Sequence, residues 1–103
     1  MKKIFAMYKL KSGISLKEYS EWSINTDQKI TSAQPGVLRF EVYSIKRKEG
    51  EDFPDQIMEV IEVDSIEQWG KVTSSKAMSK VMETFKNYAD ESTVKLLYGE
   101  KIE

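Results

Sequence analysis

The chain predicts an α+β fold in which four antiparallel strands and two helices follow one another as β-α-β-β-α-β, and three observations carry that expectation. Four stretches alternate as strands, and they are apolar on both faces. Two signatures of the capping-box type, Ser15-Leu16-Lys17-Glu18 and Ser65-Ile66-Glu67-Gln68, open helix-length segments. A polar, Gly-containing stretch joins the two middle strands as a hairpin. On one strand parity lie Ile4, Ala6, Tyr8, Leu10, Val37, Tyr43, Ile45, Ile57, Ile61 and Val63; on the other lie Phe5, Met7, Leu38, Phe40, Val42, Met58 and Val60. Two helices shield only one face of a sheet, and a bare apolar face in water costs roughly 25 cal/mol per Å². The second face therefore calls for a partner, and the expectation is another copy of the same chain, with any ligand pocket inside the resulting layered barrel.

Residues 2 to 11 form the first expected strand. The basic start resembles a signal peptide only briefly, because Tyr8, Lys9 and Lys11 interrupt the apolar run. Ser12-Gly13 makes a turn, and the capping box starts a helix at Ser15 that runs to about Thr31, with Tyr19, Trp22 and Ile30 inward and Ile24 off the stripe. Gln34-Pro35-Gly36 stops it. Residues 37 to 47 alternate as a long strand, Lys48 to Pro54 turn the chain, and residues 56 to 63 return. The second helical region begins as a short turn from Ser65 through Trp69, breaks near Gly70 and the Thr73-Ser74-Ser75 run, and resumes as a longer helix. There Met78, Val81, Met82, Phe85 and Ala89 share one face, a spacing expected of core packing. A last strand is expected over about Val94 to Ile102. This is the ferredoxin-like split unit, spanning residues 1–103 as one domain.

At 103 residues the chain can bury roughly 65% of its unfolded surface in one core. With 16 basic and 17 acidic residues and a net charge of -1, it has no strong field for nucleic acid phosphates or anionic lipid, so neither partner is expected. No apolar stretch is long enough for a membrane span, and the expected location is the cytoplasm. The lack of cysteine removes disulfides and thiolate chemistry, and the lack of histidine removes the usual neutral-pH base and the commonest metal ligand. Catalysis would have to use Asp, Glu, Tyr, Lys or Arg. There is no phosphate-binding glycine loop, nucleophile elbow or zinc-protease motif, and neither a metal nor a cofactor is expected.

Three segments together resemble the REDY-like (HapK) family of the dimeric α/β-barrel superfamily: Glu18-Tyr19-Ser20-Glu21-Trp22 followed by Asp27, Met58-Glu59-Val60-Ile61-Glu62-Val63, and Phe85-Lys86-Asn87-Tyr88-Ala89-Asp90. Their order and spacing carry the likeness, which spans most of the chain. The resemblance implies a homodimer with two four-stranded sheets face to face. It also implies bacterial secondary metabolism of the pyrrole and indole pigment type, with condensation or cyclisation that needs no cofactor. The superfamily also holds monooxygenases, lactone isomerases and proteins with no known reaction, so the fold alone assigns no activity.

The expected chemistry centres on the hairpin. If it turns about residue 51, paired residue numbers sum to about 102, which sets Tyr43 opposite Glu59 and Arg39 opposite Val63. Arg39, Glu41, Tyr43 and Glu59 then share one face, whereas a one-residue slip separates them. Three arrangements suit such a group. In one, Glu59 sits in an apolar cavity with a raised pKa as acid or base, Tyr43 gives a phenolic hydrogen bond, and Arg39 holds an anionic or carbonyl group. In the second, Arg39 and a glutamate pair between subunits. In the third, the charges are solvated at a sheet edge. Asp27, late in its helix and opposed by the helix dipole, is a further catalytic candidate, against the alternative of an exposed acid or a cap. Tyr19 and Trp22 offer stacking area for a small aromatic ligand, or simply belong to the core. Tyr88 is a candidate at the pocket rim, while Asp90 helps a turn. A noncatalytic ligand-binding or stress-response module is the competing functional class.

Overall fold

In the computed structural model, which describes residues 2–48 and 52–103, four antiparallel strands lie in the order β2-β3-β1-β4. They are β1 (Lys2–Tyr8), β2 (Val37–Lys46), β3 (Asp52–Val63) and β4 (Lys95–Gly99). The order of elements is the expected one, and the molecule is a slab 36 × 35 × 22 Å across, thin because helices cover one side only. That covered side carries Ile4, Ala6, Tyr8, Ile57, Glu59, Ile61 and Val63, all buried. The core divides into a large cluster around Tyr8, Tyr19, Trp22, Met78 and Val81 and a small one of Ile4, Ile61 and Val63; Trp69 packs against both.

The first helix spans Leu16–Thr31 in three parts: an α-helix α1 (Leu16–Trp22), a π-helical stretch (Ser23–Gln28) and a last α turn α2 (Lys29–Thr31). Its start is the expected capping box, in which Ser15 and Glu18 satisfy each other's backbone amides. The π stretch has a cause in the sequence. The inward residues Tyr19, Ser23, Asp27 and Thr31 recur every four positions. Four residues of α-helix overshoot a full turn by about 40°, and the wider π turn cancels that drift. It keeps all four on the sheet side and turns Ile24 outward, 62% exposed.

Gly36 closes the turn after this helix with φ +82°, and a Cβ there would lie 2.3 Å from Gln68 Cγ. Gln68 in turn donates to the Pro35 carbonyl, which fastens the turn to helix α3 (Ile66–Thr73). Gly70 does not break α3: Trp69 and Val72 face inward, and that packing outweighs the roughly 1 kcal/mol that glycine costs in a helix. After a 3₁₀ turn (Lys76–Met78), α4 runs over Ser79–Phe85 and stops short of the expected end. Met78, Val81 and Ala89 are buried, but Met82 is 53% exposed. Ala89 meets Leu10 in an isolated bridge instead of extending the helix, so the first strand ends at Tyr8.

The hairpin register corrects the expectation on which the proposed cluster depended. Part of the expected turn, residues 49–51, lies outside the described residues, and β3 begins earlier than expected, at Asp52. In the body of the hairpin the pairs are Val42 with Glu59, Tyr43 with Met58, and Phe40 with Ile61, one residue off the expected pairing. An irregularity between Val37 and Arg39 inserts Leu38 and flips the side chains from Arg39 to Ser44 to the other face. Phe40 and Val42 therefore join the helix side. Arg39, Glu41 and Tyr43 stand on the open side, together with Phe5, Met7, Met58, Val60 and Leu97. At one end of that open face Lys3 pairs with Glu62 at 3.2 Å.

Candidate functional site

Glu59 has a central place on the covered face of the sheet. β3 carries it beneath the first helix, between Ala6 of β1 and Val42 of β2, where it is only 9% exposed. Tyr8, two residues further along β1, reaches it diagonally and donates its phenolic hydrogen to Glu59 Oε2 at 2.7 Å. The Tyr8 oxygen is also 2.5 Å from the Tyr19 hydroxyl. When Glu59 is ionised, Tyr8 gives its one hydrogen to the carboxylate, and Tyr19 then donates to Tyr8. Ser23 bonds to Tyr19 in turn, and Gln28 Nε2 donates to Ser23 Oγ at 3.0 Å. The result is a continuous chain from Gln28 through Ser23, Tyr19 and Tyr8 to Glu59.

Asp27 belongs to the same buried group. The π stretch turns it inward, where it is 4% exposed and accepts from Thr31 Oγ1 at 3.0 Å. Desolvation raises its pKa to about 6, against the pull of the Thr31 hydrogen bond. Glu59 is raised further, to about 8, first by desolvation and then by the charge of Asp27; the Tyr8 hydrogen bond opposes both. Near neutral pH the pair thus holds one proton, on Glu59, with Asp27 ionised. Burial also pushes both Tyr8 and Tyr19 up, so their phenols stay protonated.

A cavity of about 180 Å³ opens between the first helix and the β2–β3 edge and reaches this chain at Tyr19, Ser23 and Gln28. Leu16, Ser20, Ile24, Val42, Tyr43, Ser44 and Ile57 complete its lining. Among the described residues, no group of three or more acidic side chains is arranged to hold a metal ion.

The sequence-derived candidates divide accordingly. Glu59, Asp27 and Tyr19 come together, and Tyr19 lines the cavity. Tyr43 reaches the rim but is separated from Glu59 by the sheet, and its pKa is raised by a hydrogen bond to Glu41. Arg39 lies on the open face with Glu41 and does not join Glu59. Trp22 stacks on Tyr88 with ring centroids 5.3 Å apart and donates its indole N–H to Thr84, and neither ring lines the cavity. Asp90 caps the 3₁₀ turn Glu91–Thr93, as expected of a turn residue. Sequence reasoning missed Tyr8, read only as an apolar strand position, and with it Ser23, Thr31 and Gln28. The available signal was the four-residue spacing that places polar Ser23, Asp27 and Thr31 on the stripe begun by Tyr19.

These features define a ferredoxin-like α+β protein with a buried carboxyl pair joined to a small cavity between helix and sheet. The chain belongs to the HapK family: the model described as REDY-like protein HapK matches residues 2–102. Among solved structures it is similar to HapK from Hahella chejuensis, with 20% identity, a TM-score of 0.82 and coverage of 99% of this chain and 93% of that one. It is also similar to the hydroxynitrile lyase of Passiflora edulis (12% identity, TM-score 0.76, 99% and 96% covered). A third likeness is to a dimeric ferredoxin-like protein of unknown function from Bacteroides fragilis (12% identity, TM-score 0.70, 97% and 95% covered). No curated protein matches the sequence. No helix among the described residues is long and apolar enough to cross a membrane.

Proposed function

We propose that this protein is a homodimeric, cofactor-independent acid–base enzyme of bacterial secondary metabolism, working in the cytoplasm on a small aromatic or pyrrolic metabolite by condensation or cyclisation. The observation that carries this reading is the hydrogen-bonded path from buried Glu59 to the cavity. With a pKa of about 8, Glu59 keeps its proton near neutral pH yet is close enough to that pH to release it. When Glu59 is ionised, Tyr19 takes a proton from the substrate as it passes its own hydrogen to Tyr8, and Tyr8 passes its hydrogen to Glu59 along the hydrogen bonds described above. The reverse shuttle, with each hydrogen bond turned about, returns a proton. Asp27, ionised beside Glu59, raises the proton affinity of Glu59 and so favours uptake of the proton. Family membership supports the substrate class, and the lyase neighbour supports catalysis on this scaffold. The uncovered sheet face and the dimeric neighbour support the homodimer.

The experiment is a turnover screen of aromatic aldehydes, pyrroles and indoles, repeated with Glu59→Gln and Tyr8→Phe. General acid–base groups contribute about 10²–10⁴-fold, so each variant is expected to lose about that factor in kcat. Unchanged turnover in Glu59→Gln removes the proposed role. One observation favours a noncatalytic ligand-binding or stress-response module instead: neither carboxyl itself lines the cavity. On that reading ligands bind, no compound of the screen is converted, and Glu59→Gln alters binding alone.

A further inference from the structure

We infer that this cavity selects ligands by charge: it takes a small ring bearing hydrogen-bond donors, a cationic amine above all, and turns away carboxylates and phosphates. The inference deepens the proposed function and rests on reading the cavity as a ligand site.

Three features carry it. First, most of the hydroxyl donors around the cavity are committed elsewhere. Gln28 donates to Ser23, Ser23 bonds to Tyr19, and Tyr19 donates to Tyr8, whose own hydrogen goes to Glu59. When Glu59 is ionised, each hydroxyl hydrogen along this path points away from the opening, which leaves oxygen lone pairs to face an occupant. At the rim Tyr43 likewise bonds to a carboxylate, that of Glu41. The second Nε2 hydrogen of Gln28 and the hydroxyls of Ser20 and Ser44 are the side-chain donors left over among the described lining residues. Second, no lysine or arginine is among those lining residues, so a bound anion would find no counter-charge. Arg39 acts on Tyr43 from the open face, where Glu41 stands between them along the strand. Third, two carboxyls lie behind the cavity wall, in a medium that screens charge poorly. A cation gains from that field, and an anion loses both its hydration and its partners. The volume of about 180 Å³ has room for roughly one ring, since a cavity of about 150 Å³ accommodates benzene.

The test uses three probes of nearly one shape: benzylamine, benzyl alcohol and benzoate, with affinities measured by ligand-observed NMR at pH 7. Benzylamine is expected to bind at least as tightly as benzyl alcohol, and benzoate at least about ten-fold more weakly than either. In the double variant Asp27→Asn, Glu59→Gln the advantage of the amine over the alcohol should disappear. Should that variant fail to fold, the wild-type protein supplies the same readout, because the ratio of amine to benzoate affinity should widen from pH 5 to pH 8 as Asp27 and then Glu59 ionise. Benzoate binding as tightly as the alcohol, or the amine binding more weakly than it, overturns the charge selection and leaves the acid–base reading standing. If none of the three binds, both the selection and the aromatic-ligand reading fall.

Discussion

Replacing Glu59 with glutamine is expected to make the protein more stable at pH 8, by a few kcal/mol, and to remove most of the pH dependence of its stability between pH 5 and 8. In the folded chain the Glu59 carboxyl holds its proton up to about pH 8, whereas the unfolded chain releases it near the ordinary value of 4.5. The folded state therefore binds more protons between those values, and stability falls as pH rises through that window. The contribution is fully present below about pH 4.5 and is lost by the time the folded group ionises. A shift of this size corresponds to a few kcal/mol at the upper end of the window. Glutamine keeps an acceptor for the Tyr8 hydroxyl but never ionises, so it avoids the cost of charge in an apolar interior. A smaller decline, from Asp27, should persist between about pH 4 and 6. Urea midpoints of both proteins at fixed concentration across pH 4 to 9 provide the check. Parallel curves for the two proteins would contradict it.

Introducing aspartate at Val60 is expected to convert the proposed dimer into monomers while leaving the subunit folded. Val60 stands on the open face beside Phe5, near Met58, Met7 and Leu97. It is half-buried within one chain, so a carboxylate there can still reach water in the monomer. Between two sheets packed face to face the same carboxylate would be stripped of water. Twofold symmetry makes each substitution count twice, so the dimer should weaken by about 10³-fold or more. Sedimentation of both proteins, with circular dichroism as a check on folding, decides the matter. If Val60→Asp sediments like the wild type, the face does not hold the dimer together.

The order of elements was legible because it depends on local signals: two serine caps, alternating strands and a Pro-Gly stop. One inserted residue, Leu38, was not legible, since nothing in Val37-Leu38-Arg39 distinguishes a bulge from a regular strand. That single position decided which side of the sheet Arg39 and Tyr43 occupy, and it dissolved the cluster expected around them. The covered face of β3 was easier to read. Glu59 alternates with Ile57 and Ile61, so a carboxyl had to lie among the apolar residues on whichever face held them. Tyr8 escaped because its ring suits a core strand, and only the pairing of β1 with β3 reveals that its hydroxyl meets a carboxylate. Asp27 was read as an oddity of charge against a helix dipole. The cause of its inward position is the π stretch, which α-helical periodicity does not reproduce.

The most direct test of a buried, proton-holding Glu59 is carbon NMR of side-chain carboxyls in protein labelled at glutamate, with Glu59→Gln used to assign the resonance. The account predicts that the Glu59 carboxyl titrates near pH 8, far above the ordinary 4.5. A Glu59 resonance that titrates near the ordinary 4.5 would contradict it.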